Sequence, residues 1–246
     1  MTARHDDTPH WLDLAHAGTE HFDRVLAALS DEDMDGPSAV PGWTRRHVIA
    51  HVGHNAFALA RLVDWGRTGV ENRMYASTDH RDAEIQEGAQ LPPAEIRALA
   101  ADGEQTLAAG WASLPEERWG ERIVTAQGVD RPVSDTPWMR VREVWIHAVD
   151  LGTGASFSDI PADIQERLVA EIWGLWDKRE QNSGLALEIT DGGSSFGERG
   201  DDVVVVTGPL VGVTRWAAGR GEEPGAALEA HRGGEPVAVP EPPRWL

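Results

Sequence analysis

Apolar residues recur at helical spacing through the first 155 residues of the chain, and this pattern then stops. Turn residues divide the pattern into segments at 8–30, 44–66, 93–114 and 136–152. Apolar positions three and four residues apart share one face of a helix, so each segment has to bury that face against another. Four helices joined by loops predict a four-helix bundle, which can hold a metal or a cofactor between facing helices.

The rest of the chain has a different character. A helix is predicted over 162–178, and the β-rich runs LALEIT (185–190) and DVVVVTG (202–208) follow it on either side of a Gly/Ser-rich turn. PLVGVTRWAAG predicts another helix, which ends at Gly219, and PVAV is either a last strand or an extended tail. The sequence therefore predicts two domains, a helical bundle over 1–155 and a small α+β domain over 156–246.

Charge and hydropathy limit the possible partners. With 22 basic and 41 acidic residues the formal charge is −19, which repels polyanions and makes nucleic acid an unsuitable partner. No apolar run approaches the roughly 18 residues that a membrane span needs, and the N-terminus lacks the apolar core of a signal peptide. We therefore expect a cytoplasmic protein that does not enter the membrane. The sequence does not set its oligomeric state, and a monomer is compatible with it.

The chain contains no cysteine. Disulfides, thiolate metal ligands and a thiol nucleophile are therefore all excluded. If this protein performs thiol chemistry, the thiol has to come from another molecule.

The last helix of the predicted bundle, RVREVWIHAVDLG at 140–152, carries a polar strip. At roughly 100° per residue, Glu143, His147 and Asp150 fall within roughly 60° of one another, opposite the apolar stripe. Glu143 and His147 stand one turn apart and could share a metal ion. On this helix alone the pattern favours a solvated face, because E-x-x-x-H pairs recur by chance in many helices.

The second predicted helix carries His47, His51 and His54. Its apolar arc points away from His47 and His54, whereas His51 lies at the edge of the arc and can face the interior. Asn55, one turn further on, could orient a ligand or a bound water. A lone histidine in this position favours a half-buried side chain with a hydrogen-bond partner.

Taken together, the two helices supply a different pattern. His51 from one helix and the pair Glu143 and His147 from the other make a set of two nitrogens and one carboxylate. Catalytic zinc is commonly held by three such ligands, with one position open for water or substrate.

Two stretches of the sequence resemble a known family. PGWTRRHVIAHVGHNAFAL and MRVREVWIHAVDLG are similar to the mycothiol-dependent maleylpyruvate isomerases, whose N-terminal domain is a DinB-like metal-binding four-helix bundle. PLVGVTRWAAGRGE resembles the C-terminal domain of the same family, so the resemblance covers most of the chain. The first two stretches, taken together, are fairly specific to the superfamily and less specific to the isomerase itself.

The resemblance implies a role for four residues. His51, Glu143 and His147 are the expected zinc ligands, and Arg220 is the expected active-site arginine of the second domain. An arginine just past a helix end can equally interact with the helix dipole. A planar guanidinium also suits a carboxylate, which it grips in two places.

The resemblance also implies a reaction. Mycothiol would supply the thiol that the chain lacks, and zinc would bind its sulfur and lower its pKa. The thiolate would add to the cis double bond of maleylpyruvate, rotation would follow, and expulsion of the thiolate would leave fumarylpyruvate. The resemblance would place the chain in the gentisate route of aromatic degradation. Whether zinc activates the thiol, the substrate carbonyl or both stays open.

Two alternatives keep the same metal ligands. Another mycothiol-dependent transferase of the superfamily would act on a different electrophile and would have a different pocket lining. A regulatory module would keep the bundle and its metal without any chemistry. Measuring both the metal content and the thiol-dependent turnover distinguishes these two alternatives from the isomerase.

Overall fold

The computed structural model describes residues 7–192 and 194–245. The chain divides into two compact units, Met1–Ala155 and Ser156–Leu246. Within the described residues, no helix is both long and apolar enough to cross a membrane.

The first unit contains the predicted helical bundle. Its long helices are α1 (Thr8–Ala28), α2 (Arg45–Thr68), α4 (Pro93–Ser113) and α5 (Thr136–Asp150), and a shorter helix α3 (Thr78–Gly88) lies between α2 and α4 in the chain. A small hairpin of β1 (Arg122–Val124) and β2 (Asp130–Pro132) precedes α5. The prediction of a four-helix bundle is confirmed.

Two details of the helices differ from the prediction. Helix α3 was not predicted, because its sequence is polar and buries only Ile85 and Gly88. Helix α2 does not end at Gly66 but continues to Thr68, and Gly69 follows in the left-handed conformation with φ 74°. The missing side chain of Gly66 instead leaves space for Val133, since a Cβ on Gly66 would lie 2.2 Å from Cγ2 of Val133.

Helix α2 lies at the centre of this unit and packs against α3, α4 and α5, while α1 packs against α5. The contact with α4 is close because both helices contribute a glycine. A Cβ on Gly103 would lie 2.6 Å from the carbonyl oxygen of Gly53. This contact sets the distance between α2 and α4 at Gly53, two residues after His51.

The second unit is a small α+β structure. Helix α6 (Ala162–Lys178) precedes β3 (Leu185–Ile189), β4 (Ser195–Phe196) and β5 (Val204–Gly208); α7 (Leu210–Ala217), β6 (Glu229–Arg232) and β7 (Glu235–Val237) follow. The sheet order is β4-β3-β5-β6-β7. Strands β3 and β5 are parallel and the other neighbours antiparallel. Helices α6 and α7 pack together, with the rings of Trp176 and Trp216 5.9 Å apart.

The α+β prediction for the second unit is confirmed, and its two β-rich runs and two helices form as expected. PVAV contributes its first residues to β7. Strand β6 was not predicted, because EAHR buries a single residue, Ala230, and shows no apolar alternation long enough to detect.

The close approach of α2 and α4 gives a test with a control in the same helix. Gly103→Ala should destabilise the protein by about 1–3 kcal/mol, because its Cβ meets backbone that cannot move aside. Gly110→Ala should be neutral or stabilising by up to about 1 kcal/mol, since its Cβ lies 3.5 Å from Val63 and alanine favours a helix. Urea denaturation followed by circular dichroism measures both, and equal effects of the two changes would contradict the packing described.

Candidate metal centre

The polar strip of α5 faces the interior of the bundle. The side chains of Glu143 and His147 are 21% and 13% exposed, and Asp150 is fully buried. The interpretation of this strip as a solvated face is therefore wrong. Helix α5 packs against α1 through its apolar residues and also against α2, so both of its faces are covered.

The strip meets His51 of α2. Nε2 of His51 lies 2.8 Å from Oε2 of Glu143, and Nε2 of His147 lies 3.3 Å from the same oxygen. One ligand atom from each of the three side chains lies within 4.8 Å of the other two. In a tetrahedral zinc site with bonds of about 2.0–2.2 Å, two ligand atoms are roughly 3.4 Å apart. The three atoms therefore fit a single ion after small side-chain shifts.

A fourth side chain orients one of these histidines. Nδ1 of His147 lies 2.8 Å from Oδ2 of the buried Asp150, one turn further along α5. A carboxylate on the far nitrogen of a ligating histidine fixes the ring and directs the other nitrogen toward a metal. With neutral imidazoles, the carboxylates of Glu143 and Asp150 together balance the charge of a divalent cation.

The carboxylates of Glu143 and Asp150 favour a positive charge on His147. Burial lowers the pKa of His147, but its bonds to Asp150 and Glu143 outweigh burial and raise that pKa to about 9. Burial also raises the pKa of Glu143, and the two histidines more than reverse this effect and hold it well below its usual range. The pKa of His51 is lowered, chiefly by burial. Without a metal, His147 therefore carries a proton at neutral pH, which a metal ion has to displace.

The other two histidines of α2 have separate roles. Nδ1 of His47 accepts a hydrogen bond from the backbone N–H of Thr44, so this side chain caps the first turn of α2. His54 packs against α3, where a Cβ on Gly88 would lie 3.0 Å from its Nε2. Of the three, His51 is the histidine that joins Glu143 and His147.

Arg140 joins α5 to α2 at the residue after His51 and to α4, and the sequence did not single it out. Its buried guanidinium donates from Nη1 to the carbonyl oxygen of Val52 at 2.8 Å and to Oδ1 of Asn55 at 3.2 Å. Nη2 lies 3.2 Å from Oε2 of Glu104 on α4. Asn55, expected to orient a ligand or water, thus contacts this arginine. Arg140 stands two turns before His147 on the same strip, and that spacing was the available signal.

Arg220 lies in the second unit, just after α7. Its Nη1 donates to the carbonyl oxygen of Ala218 at 2.7 Å, and its own carbonyl oxygen accepts from Nε of Arg215 at 3.0 Å. Nη1 of Arg215 also binds the buried carboxylate of Glu223 at 2.7 Å. These bonds hold the turn that carries Arg220, while its role as an active-site arginine stays a prediction.

Fold and site together define a DinB-like helical bundle with a candidate metal centre in its interior. Residues 15–152 match the family model described as "Mycothiol maleylpyruvate isomerase N-terminal domain". This match covers more than half of the chain, and the chain belongs to this family.

Solved structures agree over almost the whole length. A crystal structure of the mycothiol-dependent maleylpyruvate isomerase is 40% identical, with a TM-score of 0.91, 99% of this chain covered and 100% of that chain. A structure of a histidine-to-alanine mutant of that isomerase is 41% identical, with a TM-score of 0.90 and the same coverage.

A more distant structure shares the fold alone. YfiT from Bacillus subtilis, described as having an unusual four-helix bundle topology, is 14% identical, with a TM-score of 0.51, 61% of this chain covered and 87% of that chain. No curated protein sequence matches the chain.

The cluster makes a direct prediction about metal content. We expect about one divalent cation per chain in the purified protein, and loss of most of it in His51→Ala, Glu143→Ala and His147→Ala, because three ligands are the usual minimum for a tight site. His47→Ala is the matched control on α2 and should keep the metal. Elemental analysis by mass spectrometry measures the content. Full metal in His51→Ala together with loss in His47→Ala would show that the wrong histidine was assigned.

Proposed function

We propose that this protein is a metal- and mycothiol-dependent isomerase that converts maleylpyruvate to fumarylpyruvate. What supports this function most is the convergence of His51, Glu143 and His147 in a chain that is 40% identical over its length to the mycothiol-dependent maleylpyruvate isomerase. Isomerisation leaves the atoms and electrons of the substrate unchanged, so the reaction needs no redox partner.

The residues of the first unit would hold the metal. His51 and His147 offer nitrogen, Glu143 offers oxygen, and Asp150 holds the ring of His147 in place. We propose zinc as the ion, since two imidazoles and one carboxylate without sulfur suit it. A bound zinc ion supplies a Lewis acid that lowers the pKa of a thiol and keeps it as thiolate at neutral pH.

The chain itself offers no thiol, because it has no cysteine. Serine and water are poor reversible nucleophiles for a double bond, so the nucleophile has to be an external thiol, and mycothiol is the one that the family's name gives. The partners we propose are therefore mycothiol and a small dicarboxylate. For its location we propose the cytoplasm, where a small-molecule thiol stays reduced.

Arg220 is the proposed partner of a substrate carboxylate. A protein of charge −19 repels a dianion, so a fixed cation is needed where the substrate binds. The planar guanidinium of an arginine can donate two parallel hydrogen bonds to one carboxylate, which the ammonium group of a lysine cannot do.

The thiol requirement is the first prediction for this function. Dialysed metal-loaded protein should leave maleylpyruvate unchanged, and added mycothiol should start an isomerisation that a chelator then stops. Ultraviolet absorbance of the substrate follows the reaction, and His51→Ala with mycothiol is the inactive control. Full turnover before any thiol is added would contradict the proposed nucleophile. Consumption of mycothiol with other electrophiles, without isomerisation, would indicate the transferase instead.

Arg220→Lys tests the carboxylate contact. The change keeps the charge but loses the fork, so kcat/KM should fall at least about tenfold, equivalent to about 1.4 kcal/mol. Metal content should not change. Arg232→Lys, on an exposed position of β6, is the control and should keep full activity. Unchanged kinetics in Arg220→Lys would mean that this arginine interacts with the end of α7 and does not bind the substrate.

A further inference from the structure

A tryptophan lies beside the candidate metal centre without offering a ligand atom to it. The centre of the Trp43 ring is 5.5 Å from that of His51, and the two rings meet edge to face at 64°. The side chain is half-buried, so part of its apolar surface stays open to a ligand. Because Trp43 contacts one of the three expected ligands directly, its indole is within reach of a molecule that binds at the metal centre.

The loop that carries Trp43 is a tight turn. The backbone N–H of Trp43 donates to the carbonyl oxygen of Val40 at 3.1 Å, and Gly42 has a φ of 80°. Proline at the second position and glycine at the third are typical of a type II turn, and Pro41 and Gly42 occupy these positions. The backbone N–H and the hydroxyl of Ser38 both donate to the carbonyl oxygen of Trp43, each at 3.0 Å. The backbone of the tryptophan is therefore held in place without a ligand.

This loop is also bonded to the helix that supplies the other two ligands. The backbone N–H of Ala39 donates to the carbonyl oxygen of Asp150 at 2.8 Å, and Nε of Arg45 donates to that of Leu151 at 2.7 Å. Asp150 is the residue whose side chain orients His147. The backbone that carries the indole is therefore fixed relative to both α2 and α5.

The chemistry of the indole suits a neutral ring better than a dicarboxylate. The face of an aromatic ring carries partial negative charge, so it repels a carboxylate, whereas it can bury the apolar C–H face of a sugar. No hydrogen bond within the described part of the chain uses Nε1 of Trp43, so this N–H can donate to a hydroxyl group. A sugar offers both an apolar face and hydroxyl groups, and the expected substrate has two carboxylates instead.

We propose that the indole of Trp43 packs against the sugar part of mycothiol while the sulfur of the thiol lies at the metal centre. This inference rests on the proposed function and adds to it, because it assigns a residue to the part of the thiol that does not react. A sulfur held beside His51 leaves the rest of the thiol to lie along the neighbouring side chains, and Trp43 contacts His51 directly. Trp43 thereby favours a thiol that carries a sugar over one that does not.

Calorimetric titration with mycothiol tests this contact without any isomerisation. The metal-loaded wild type should bind mycothiol, and Trp43→Leu should bind it at least about tenfold more weakly, because leucine lacks the flat face and the N–H. Trp43→Phe keeps an aromatic face without the N–H and should fall between the two. Trp65→Leu is the matched control and should bind as the wild type does, since Trp65 is also half-buried but lies about 21 Å along α2 from His51.

Metal content and a sugar-free thiol separate the sugar contact from an effect on His51. Trp43→Leu should keep the metal content of the wild type and its affinity for N-acetylcysteine, a thiol without a sugar. Equal mycothiol affinity in Trp43→Leu and the wild type would overturn the inference, as would loss of the metal or an equal loss of affinity for both thiols.

The same titration distinguishes this inference from the proposed function. If the wild type binds mycothiol but does not isomerise maleylpyruvate, the proposed function fails, and the affinities of the variants still decide the role of Trp43. A wild type that does not bind mycothiol would overturn both.

Discussion

A single half-buried carboxylate links two helices of the bundle. Glu143 of α5 lies within 3.3 Å of Nε2 of both His51 and His147. A carboxylate removed from most of the solvent is unfavourable without partners, so this pairing favours the register in which α2 and α5 meet. Arg140 secures this register through its bond to the carbonyl oxygen of Val52, the residue after His51. Metal ligation and helix packing therefore depend on the same contact.

Much of this site could be predicted because it follows helical periodicity. The one-turn spacing of Glu143 and His147 is visible in the sequence, and the apolar arc of α2 singles out His51. Periodicity does not say which side of an amphipathic helix meets a partner, and for this reason the strip was first interpreted as solvated. Arg140 was missed because an arginine is ordinarily a surface residue, and only its bonds to α2 and α4 explain its burial. Helix α3 buries too few side chains to produce a pattern.

Charge connects the metal centre to the ligands proposed for it. The chain carries a formal charge of −19, yet the carboxylates of Glu143 and Asp150 at the centre are both paired with histidines. Low dielectric strengthens each of these interactions relative to the surface. A dianion would thus need local positive charge in a protein that repels it elsewhere, and Arg220 is the residue proposed for one of its carboxylates.

The central claim is that His51, Glu143 and His147 bind one metal ion together. X-ray absorption spectroscopy of the zinc-loaded protein measures the ligands of that ion directly. We expect ligand atoms at about 2.0–2.2 Å from the zinc, with two imidazole nitrogens and at least one carboxylate oxygen, and one imidazole fewer around the residual zinc that His51→Ala retains. A shell of oxygen atoms without any imidazole, or an identical spectrum in His51→Ala, would contradict the claim.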